Sequence, residues 1–316
     1  MNILIAYDGS DCASSAVDGL RRAGLASDAR AIVLSVADVW LPPLETENKE
    51  SASAHRPAAV ERAYIQSVQA LAAAREFSES GAARLREIFP HWEVQAEAVA
   101  DSPAWATIKR ATEWPAELVV VGSHGHSSLG RFMLGDVSQK VVAEAPCSVR
   151  VGRRDRRPAD APVRILVGLD GSADADAAVT AVGARVWPAG TEIRLMTSID
   201  AKILTSVQLP AASIARWAAE GAEDPEAWVS RMIAQAAESL RAHGLRVSSL
   251  VKQGDPKNAL LSEADKWDAD AIFVGARGHR LLARLLLGSV SASIAARAHC
   301  SIEIVRERAT ESEHSA

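Results

Sequence analysis

Two stretches of this chain bring glycines, hydroxyls and a carboxylate into a pattern suited to holding phosphate. One runs from Val121 to Ser138 and contains Gly122, Gly125 and Gly135; the other runs from Val274 to Ser291 and contains Gly275, Gly278 and Gly288. Both read Gly-x2-Gly-x9-Gly, and both follow an apolar run of strand type. A glycine at a strand end lets the chain turn sharply, and a second lets backbone approach a ligand. A third opens a helix whose free N–H groups and positive dipole end attract an anion. Ser289 and Ser291 add hydroxyls beside those amides, and Ser138 holds the place of Ser291 in the first copy. Three glycines in one loop serve tight turns as readily as phosphate. Two copies at identical spacing, each paired with a strand-ending Asp-Gly-Ser (Asp8 to Ser10 and Asp170 to Ser172), tilt the balance toward a ligand.

Several other chemistries are excluded. The chain has no P-loop lysine followed by Ser or Thr, and no Gly-x-Gly-x-x-Gly turn after its first strand, which argues against a P-loop ATPase or a nicotinamide dehydrogenase. No nucleophile elbow, carboxylate pair or Cys-His arrangement is readable. His124 and His126 stand two apart, but nothing completes a metal-ligand spacing. They read as polar loop histidines, with His279 matching His126. Arg277 replaces His124 in the second copy. It is placed to reach an anionic phosphate, and a solvated arginine is the alternative.

The elements that must position these residues occur twice. Ile3 to Ser10 matches Ile165 to Ser172, an offset of 162, whereas Gly122 matches Gly275, an offset of 153; the first half therefore carries nine more residues in its middle. A period of this size means two whole domains, not a solenoid. Each half predicts a strand (3–7; 164–169), a helix with Ser10 or Ser172 as N-cap (11–24; 173–186), and a second strand (31–36; 192–197). A less regular stretch (38–56; 199–224) precedes a long helix. Its buried face is marked by Val60, Tyr64, Val68 and Leu71 in one half, and by Val229, Ile233, Ala236 and Leu240 in the other. A third strand (92–99; 245–251), a helix opening at Pro103 or Pro256, a fourth strand (117–121; 270–274), a helix (136–144; 289–298) and a fifth strand (147–151; 300–305) complete each unit. Alternating strands and helices, with unbroken apolar runs such as Leu118 to Val121, imply parallel sheets covered on both faces. Ligands of such sheets bind beyond the carboxyl ends of the strands, where strand order reverses. If the first and fourth strands are neighbours, Asp8 and Asp170 lie beside the glycine loops.

Length and composition fit this picture. The 316 residues suit two domains, and 48% hydrophobic with 24% charged residues is ordinary for a globular chain. A net charge of −5 without a basic stripe argues against nucleic acid. No stretch approaches the roughly 20 apolar residues of a membrane span. Three scattered cysteines form no disulfide framework, and Cys147 and Cys300, at matched places, read as small buried hydrophobes. With no charged leader before the first strand, a cytoplasmic location is expected. The run Arg153 to Arg157 reads as part of a solvated linker over 153–162, the tail 308–316 as disordered, and the apolar stretch from Ile203 to Trp217 as a lid or a flap.

The chain resembles the universal stress proteins, here in tandem form over roughly 1–152 and 163–307. The resemblance rests on the strand-end aspartates, the Gly-x2-Gly-x9-Gly loops, and the following Val-Ser and Cys-Ser-Val/Ile stretches. It implies an α/β fold of two tandem Rossmann-like (adenine-nucleotide-hydrolase-like) domains, each a five-stranded parallel sheet flanked by helices. It implies ATP, with or without Mg²⁺, as a regulatory ligand that is hydrolysed slowly or not at all. In the second half the implied ligand contacts are Asp170, Thr197 or Ser198 after the second strand, Gly275, Arg277, Gly278, Gly288, Ser289, Val290 and Ser291. In the first half they are Asp8, Gly122, Gly125, Gly135 and Ser138. It also implies pairing of the two halves through their last strands, with the number of chains left open between one and two. The first half departs from the pattern: Asp136 stands where Ser or Thr is expected, so it caps the helix and weakens triphosphate binding. The second half is then the better ATP site. The other reading is a scaffold or dimerisation protein whose nucleotide sites have decayed.

Overall fold

The structure is a computed structural model and describes residues 1–39, 58–125, 134–158, 160–199, 225–277 and 287–307. The expected stretches 38–56 and 199–224, most of both glycine loops and the tail therefore lie largely outside the described residues.

The first half runs β1 (Asn2–Ala6), α1 (Asp11–Asp18) with a 3₁₀ turn (Gly19–Arg22), β2 (Arg30–Ala37), α2 (Ala58–Ile88), β3 (Glu93–Ala100), α3 (Pro103–Glu113), β4 (Leu118–Gly122), α4 (Asp136–Glu144) and β5 (Ser148–Gly152). The second half repeats it as β6 (Arg164–Gly168), α5 (Ala173–Gly183), β7 (Glu192–Ile199), α6 (Pro225–Ala242), β8 (Arg246–Gln253), α7 (Pro256–Lys266), β9 (Ala271–Gly275), α8 (Ser289–Arg297) and β10 (Ser301–Val305). Ser10 and Ser172 cap α1 and α5 as expected, their hydroxyls accepting from the amides of Ala13 and Ala175.

Among the described residues the strands form one sheet in the order β3-β2-β1-β4-β5-β10-β9-β6-β7-β8. Within each half every pairing is parallel. The two halves join edge to edge through β5 and β10, which run antiparallel with Arg150 opposite Glu303. This is the expected pairing through the last strands, made within one chain. In each half the first strand lies beside the fourth, so strand order reverses at β1/β4 and at β6/β9.

The helices cover the sheet unequally. On one face α3, α4, α7 and α8 share a single apolar core that crosses the midline, from Leu4, Val119 and Val142 to Leu260, Ile272 and Ile294. On the other face each half has its own core, under α1 and α2 or under α5 and α6. Burial of each such aliphatic side chain stabilises the fold by roughly 1.5–3 kcal/mol. The shared face therefore carries part of the contact between the halves.

Two expectations change. The buried face of α2 is not Val60, Tyr64, Val68 and Leu71: Val60 and Val68 are each 42% exposed, and the helix packs through Ser67, Ala74, Ser78, Gly81, Ala82 and Leu85. At 31 residues α2 is about 46 Å long, whereas the eight residues of β2 span about 26 Å, so its first turns have no sheet beneath them. Small residues line the contact because a Cβ on Gly81 would stand only 3.0 Å from Tyr7 and Val33. In α6 the expected residues Val229, Ile233 and Leu240 are buried. The arginine run after β5 is likewise not wholly solvated: Arg153 is buried, and Arg157 donates to the Pro162 carbonyl and to Asp270. Arg22 reaches across from the 3₁₀ turn to the Pro158 and Ala161 carbonyls and to Asp270, so charged groups seal the junction.

Candidate functional site

The two candidate sites lie at the switch points β1/β4 and β6/β9, where Asp-Gly-Ser meets the glycine loop. The Asp8 carboxylate accepts the Ser10 amide at 3.0 Å, and Asp170 accepts the Ser172 amide at 3.0 Å and its hydroxyl at 2.6 Å. Both aspartates thus shape the turn into the first helix while remaining exposed at the crevice. A Cβ on Gly125 would come 2.8 Å from the second Asp8 oxygen, so the loop and the aspartate share one crevice as expected.

Gly122 and Gly275 serve packing. A Cβ on Gly275 would lie 2.7 Å from the Asp174 carbonyl carbon and 2.8 Å from the Ala175 nitrogen; on Gly122 it would lie 3.0 Å from the Ala13 nitrogen. The strand end and the first helix touch backbone to backbone, which a side chain would prevent. Each loop is closed at its base by one hydrogen bond, Gly135 N–H to Ser123 O at 2.9 Å and Gly288 N–H to Ala276 O at 2.8 Å. The helices that follow start at Gly135 and Gly288, both extended, and neither has a side-chain cap. Among the described residues no side chain caps their first-turn amides, the condition that favours an anion.

The hydroxyls divide. Ser289 and Asp136 are the first residues of α8 and α4, both exposed. Asp136 is thus not the N-cap expected from the sequence; Gly135 takes that place, and Asp136 adds a charge to the first turn. Ser138 and Ser291 are buried, donating to the Gly122 and Gly275 carbonyls at 2.7 and 2.6 Å. They stitch helix to strand and do not offer their protons to the crevice. Val290 is half-buried against the shared core. Thr197 is buried and donates to the Leu169 carbonyl at 3.1 Å, while Ser198 donates to the Gly254 carbonyl at 2.5 Å. Of the implied ligand contacts, Gly278 lies outside the described residues, as do His126 and His279.

Arg277 is half-buried and held by a carboxylate, not freely solvated. Its amide and Nε each donate to Asp174 Oδ2 at 2.9 Å, and its Nη2 donates to Oδ1 at 3.1 Å. The bond to Asp174 and its charge raise the pKa of the guanidinium. Asp174 also accepts the Glu307 amide at 3.2 Å. This residue, 3% exposed, is the one sequence reasoning missed. It reads as an ordinary first-turn acid, and only the close approach of β9 to α5 turns it inward. In the first half Cys12 and His124 hold the matched positions. His124 is buried, its Nδ1 lies 3.1 Å from the Ser123 hydroxyl, and burial, followed by the Arg153 charge, lowers its pKa. It is not the exposed polar histidine expected of a loop. Burial pushes the Cys300 thiol up to about 12, in keeping with a small buried hydrophobe. Among the described residues no group of three or more His, Cys, Asp or Glu is arranged to hold a metal ion. Among them, too, no helix is long and apolar enough to cross a membrane.

A family model described as "Universal stress protein family" matches residues 1–153 and 163–306. A universal stress protein of Mycobacterium tuberculosis (strain H37Rv) is 30% identical over 219 residues, 68% of this chain and 69% of that protein. The crystal structure of a universal stress protein from Archaeoglobus fulgidus superposes with a TM-score of 0.66 at 21% identity, covering 98% of each chain. A universal stress protein solved in complex with cAMP matches 46% of this chain and 98% of its own, at 24% identity and a TM-score of 0.34.

Proposed function

The chain belongs to the universal stress protein family, some of whose members bind nucleotides, and from that premise we propose that its second half binds an adenine nucleotide, ATP first, as a regulatory ligand. The observation that carries this reading is the uncapped start of α8 at the β6/β9 switch point, with the exposed Ser289 hydroxyl on its first turn. Free amides, a dipole end and a hydroxyl suit a phosphate chain. Asp170 stands at the end of β6, the strand beside β9. Residues 1–152 and 163–307 are taken as the two units.

The first half repeats the described elements but carries a carboxylate where the second has a hydroxyl. Asp136 puts a carboxylate on the first turn of α4, where a like charge costs a polyphosphate on the order of one to several kcal/mol. Because Asp136 is exposed, water holds the penalty toward the low end of that range. The first half therefore suits a neutral ligand such as a nucleoside, or a phosphate neutralised by a metal. Mg²⁺ in the second half would come with the triphosphate, since no acidic cage is built among the described residues. ATP turnover is slow or absent in this reading. The second reading, a scaffold with decayed sites, draws on Asp136 and on the buried charges that fix the two halves together.

Extraction of the purified protein and assay for bound adenine nucleotide, followed by affinities for ATP, AMP and cAMP, tests the proposal. Wild type should bind ATP at micromolar levels, and Ser289→Asp should weaken it about tenfold or more. No binding of any adenine nucleotide at micromolar levels would leave the scaffold reading standing.

A further inference from the structure

The two anion-facing helices are each held at the far end by an arginine from the other half. Arg153 directly follows β5 of the first half. Its Nη2 donates to the Ala295 and Ala296 carbonyls, at 2.8 and 3.4 Å, in the last turn of α8 of the second half. Arg306 directly follows β10 of the second half. Its Nε donates to the Ala145 carbonyl at 2.8 Å and its Nη2 to Val142 and Ala143 at 2.7 and 3.0 Å, the last carbonyls of α4 in the first half. The exchange extends to the backbone: the Arg153 amide donates to the Ser301 hydroxyl at 3.1 Å, and the Arg306 amide to the Ser148 hydroxyl at 3.3 Å.

The chemistry of these arginines is unusual for a surface-derived junction. Arg153 is 7% exposed, pairs with no carboxylate among the described residues, and leaves its Nε without a hydrogen-bond partner. A guanidinium is a costly group to bury on neutral carbonyls alone. The negative end of a helix dipole is what compensates it. Both helices have nine residues, about 13 Å, with no glycine or proline inside, so a constraint at one end reaches the other. At that other end stand Gly288 and Ser289, or Gly135 and Asp136. Ser291 and Ser138 pin the first turns to the strand ends, and the arginines complete the clamp.

We propose that Arg153 and Arg306 are crossed positioning residues: Arg153 of the first half sets the anion-binding end of α8 in the second, and Arg306 of the second half sets that of α4 in the first. The consequence for ligand affinity rests on the nucleotide reading above; the clamp itself does not. Because each arginine extends a strand of the β5/β10 ladder, ordering of one phosphate helix by ligand is transmitted to the strand that carries the clamp for the other.

Amide hydrogen exchange on the full chain tests the crossing, with Arg153→Gln, Arg306→Gln and Arg153→Lys. Arg153→Gln should speed exchange in α8 by about tenfold or more and leave α4 within about twofold; Arg306→Gln should do the reverse. Arg153→Lys keeps the charge without the planar fork and should recover part of the protection. Arg153→Gln should weaken ATP binding about tenfold, with Arg153→Lys between it and wild type. Equal loosening of both helices by either variant, or loosening confined to the arginine's own half, overturns the proposal. If Arg153→Gln fails to fold, Arg306→Gln and Arg153→Lys decide on the same exchange pattern. A crossed pattern in a protein that binds no adenine nucleotide upholds the clamp and removes the nucleotide reading.

Discussion

Asp174 is the most exposed to test of the buried groups around the second site. Its carboxylate, 3% exposed, accepts four bonds: from the Arg277 amide, Nε and Nη2, and from the Glu307 amide. Asp174→Ala removes all four. Breaking a fully buried ion pair costs about 3–5 kcal/mol, but the Arg277 side chain is 28% exposed and regains water, which lowers that contribution. Glu307 is exposed and Arg277 half-buried, so the two backbone amides also regain water in part and add toward the low end of about 1–3 kcal/mol each. Allowing for partial relaxation, a loss of about 3 kcal/mol is expected, a large share of the ~5–15 kcal/mol stability of a domain. Asp174→Asn keeps one acceptor and the shape, and should lose about half as much. Urea unfolding at constant pH measures both, provided the slope is unchanged so that the midpoint reports stability. ATP affinity should fall in parallel, because the loop entry at Arg277 loses its anchor. A loss under about 1 kcal/mol for Asp174→Ala would refute the assignment of Asp174 as the buried anchor of this loop.

Other consequences are equally direct. Burial lowers the pKa of His124, so the unfolded chain binds the extra proton first. Stability should be level above the ordinary histidine value of 6.5 and fall as pH drops below it; His124→Gln should flatten that slope, with a residual from His299, which burial also lowers. Stability that rises between pH 7 and 5.5 would contradict the assignment. Glu303 sits on the junction strand with Arg150 at 3.3 Å and Arg185 also paired to it, so Glu303→Ala should cost about 3–5 kcal/mol in chemical unfolding. The joint change Arg150→Met, Arg185→Leu and Glu303→Leu should recover at least half of that loss, as apolar groups replace the whole buried cluster.

Much of this was legible in the sequence because it is local. Apolar runs gave the strands to within a residue or two, and Ser10, Ser172, Pro103 and Pro256 marked helix starts through capping chemistry that needs no tertiary contact. The β1/β4 and β6/β9 adjacency stood only as a condition on the place of Asp8 and Asp170, because strand order is not local; the structure meets that condition. What failed was non-local. The face of α2 was misassigned because the long helix overhangs the sheet, which periodicity does not register. Asp136 was placed one residue off because Gly135 takes the cap. Arg277 and Ser291 suit a ligand by type and Thr197 came with the family resemblance, and the sequence does not show that Asp174, the Gly275 carbonyl and the Leu169 carbonyl engage their side chains. Arg153 read as solvated because nothing near it in the chain shows that the end of α8 lies beside it.

Of the two matched crevices, the second is the one proposed to take ATP. Calorimetric titration of the full chain with ATP tests it most directly. The expected isotherm has one micromolar equivalent per chain, weakened about tenfold or more by Ser289→Asp, whereas Asp136→Ser should strengthen binding in the first half and bring in a second equivalent. Two equivalents of equal affinity in wild type would contradict the asymmetry assigned to Ser289 and Asp136.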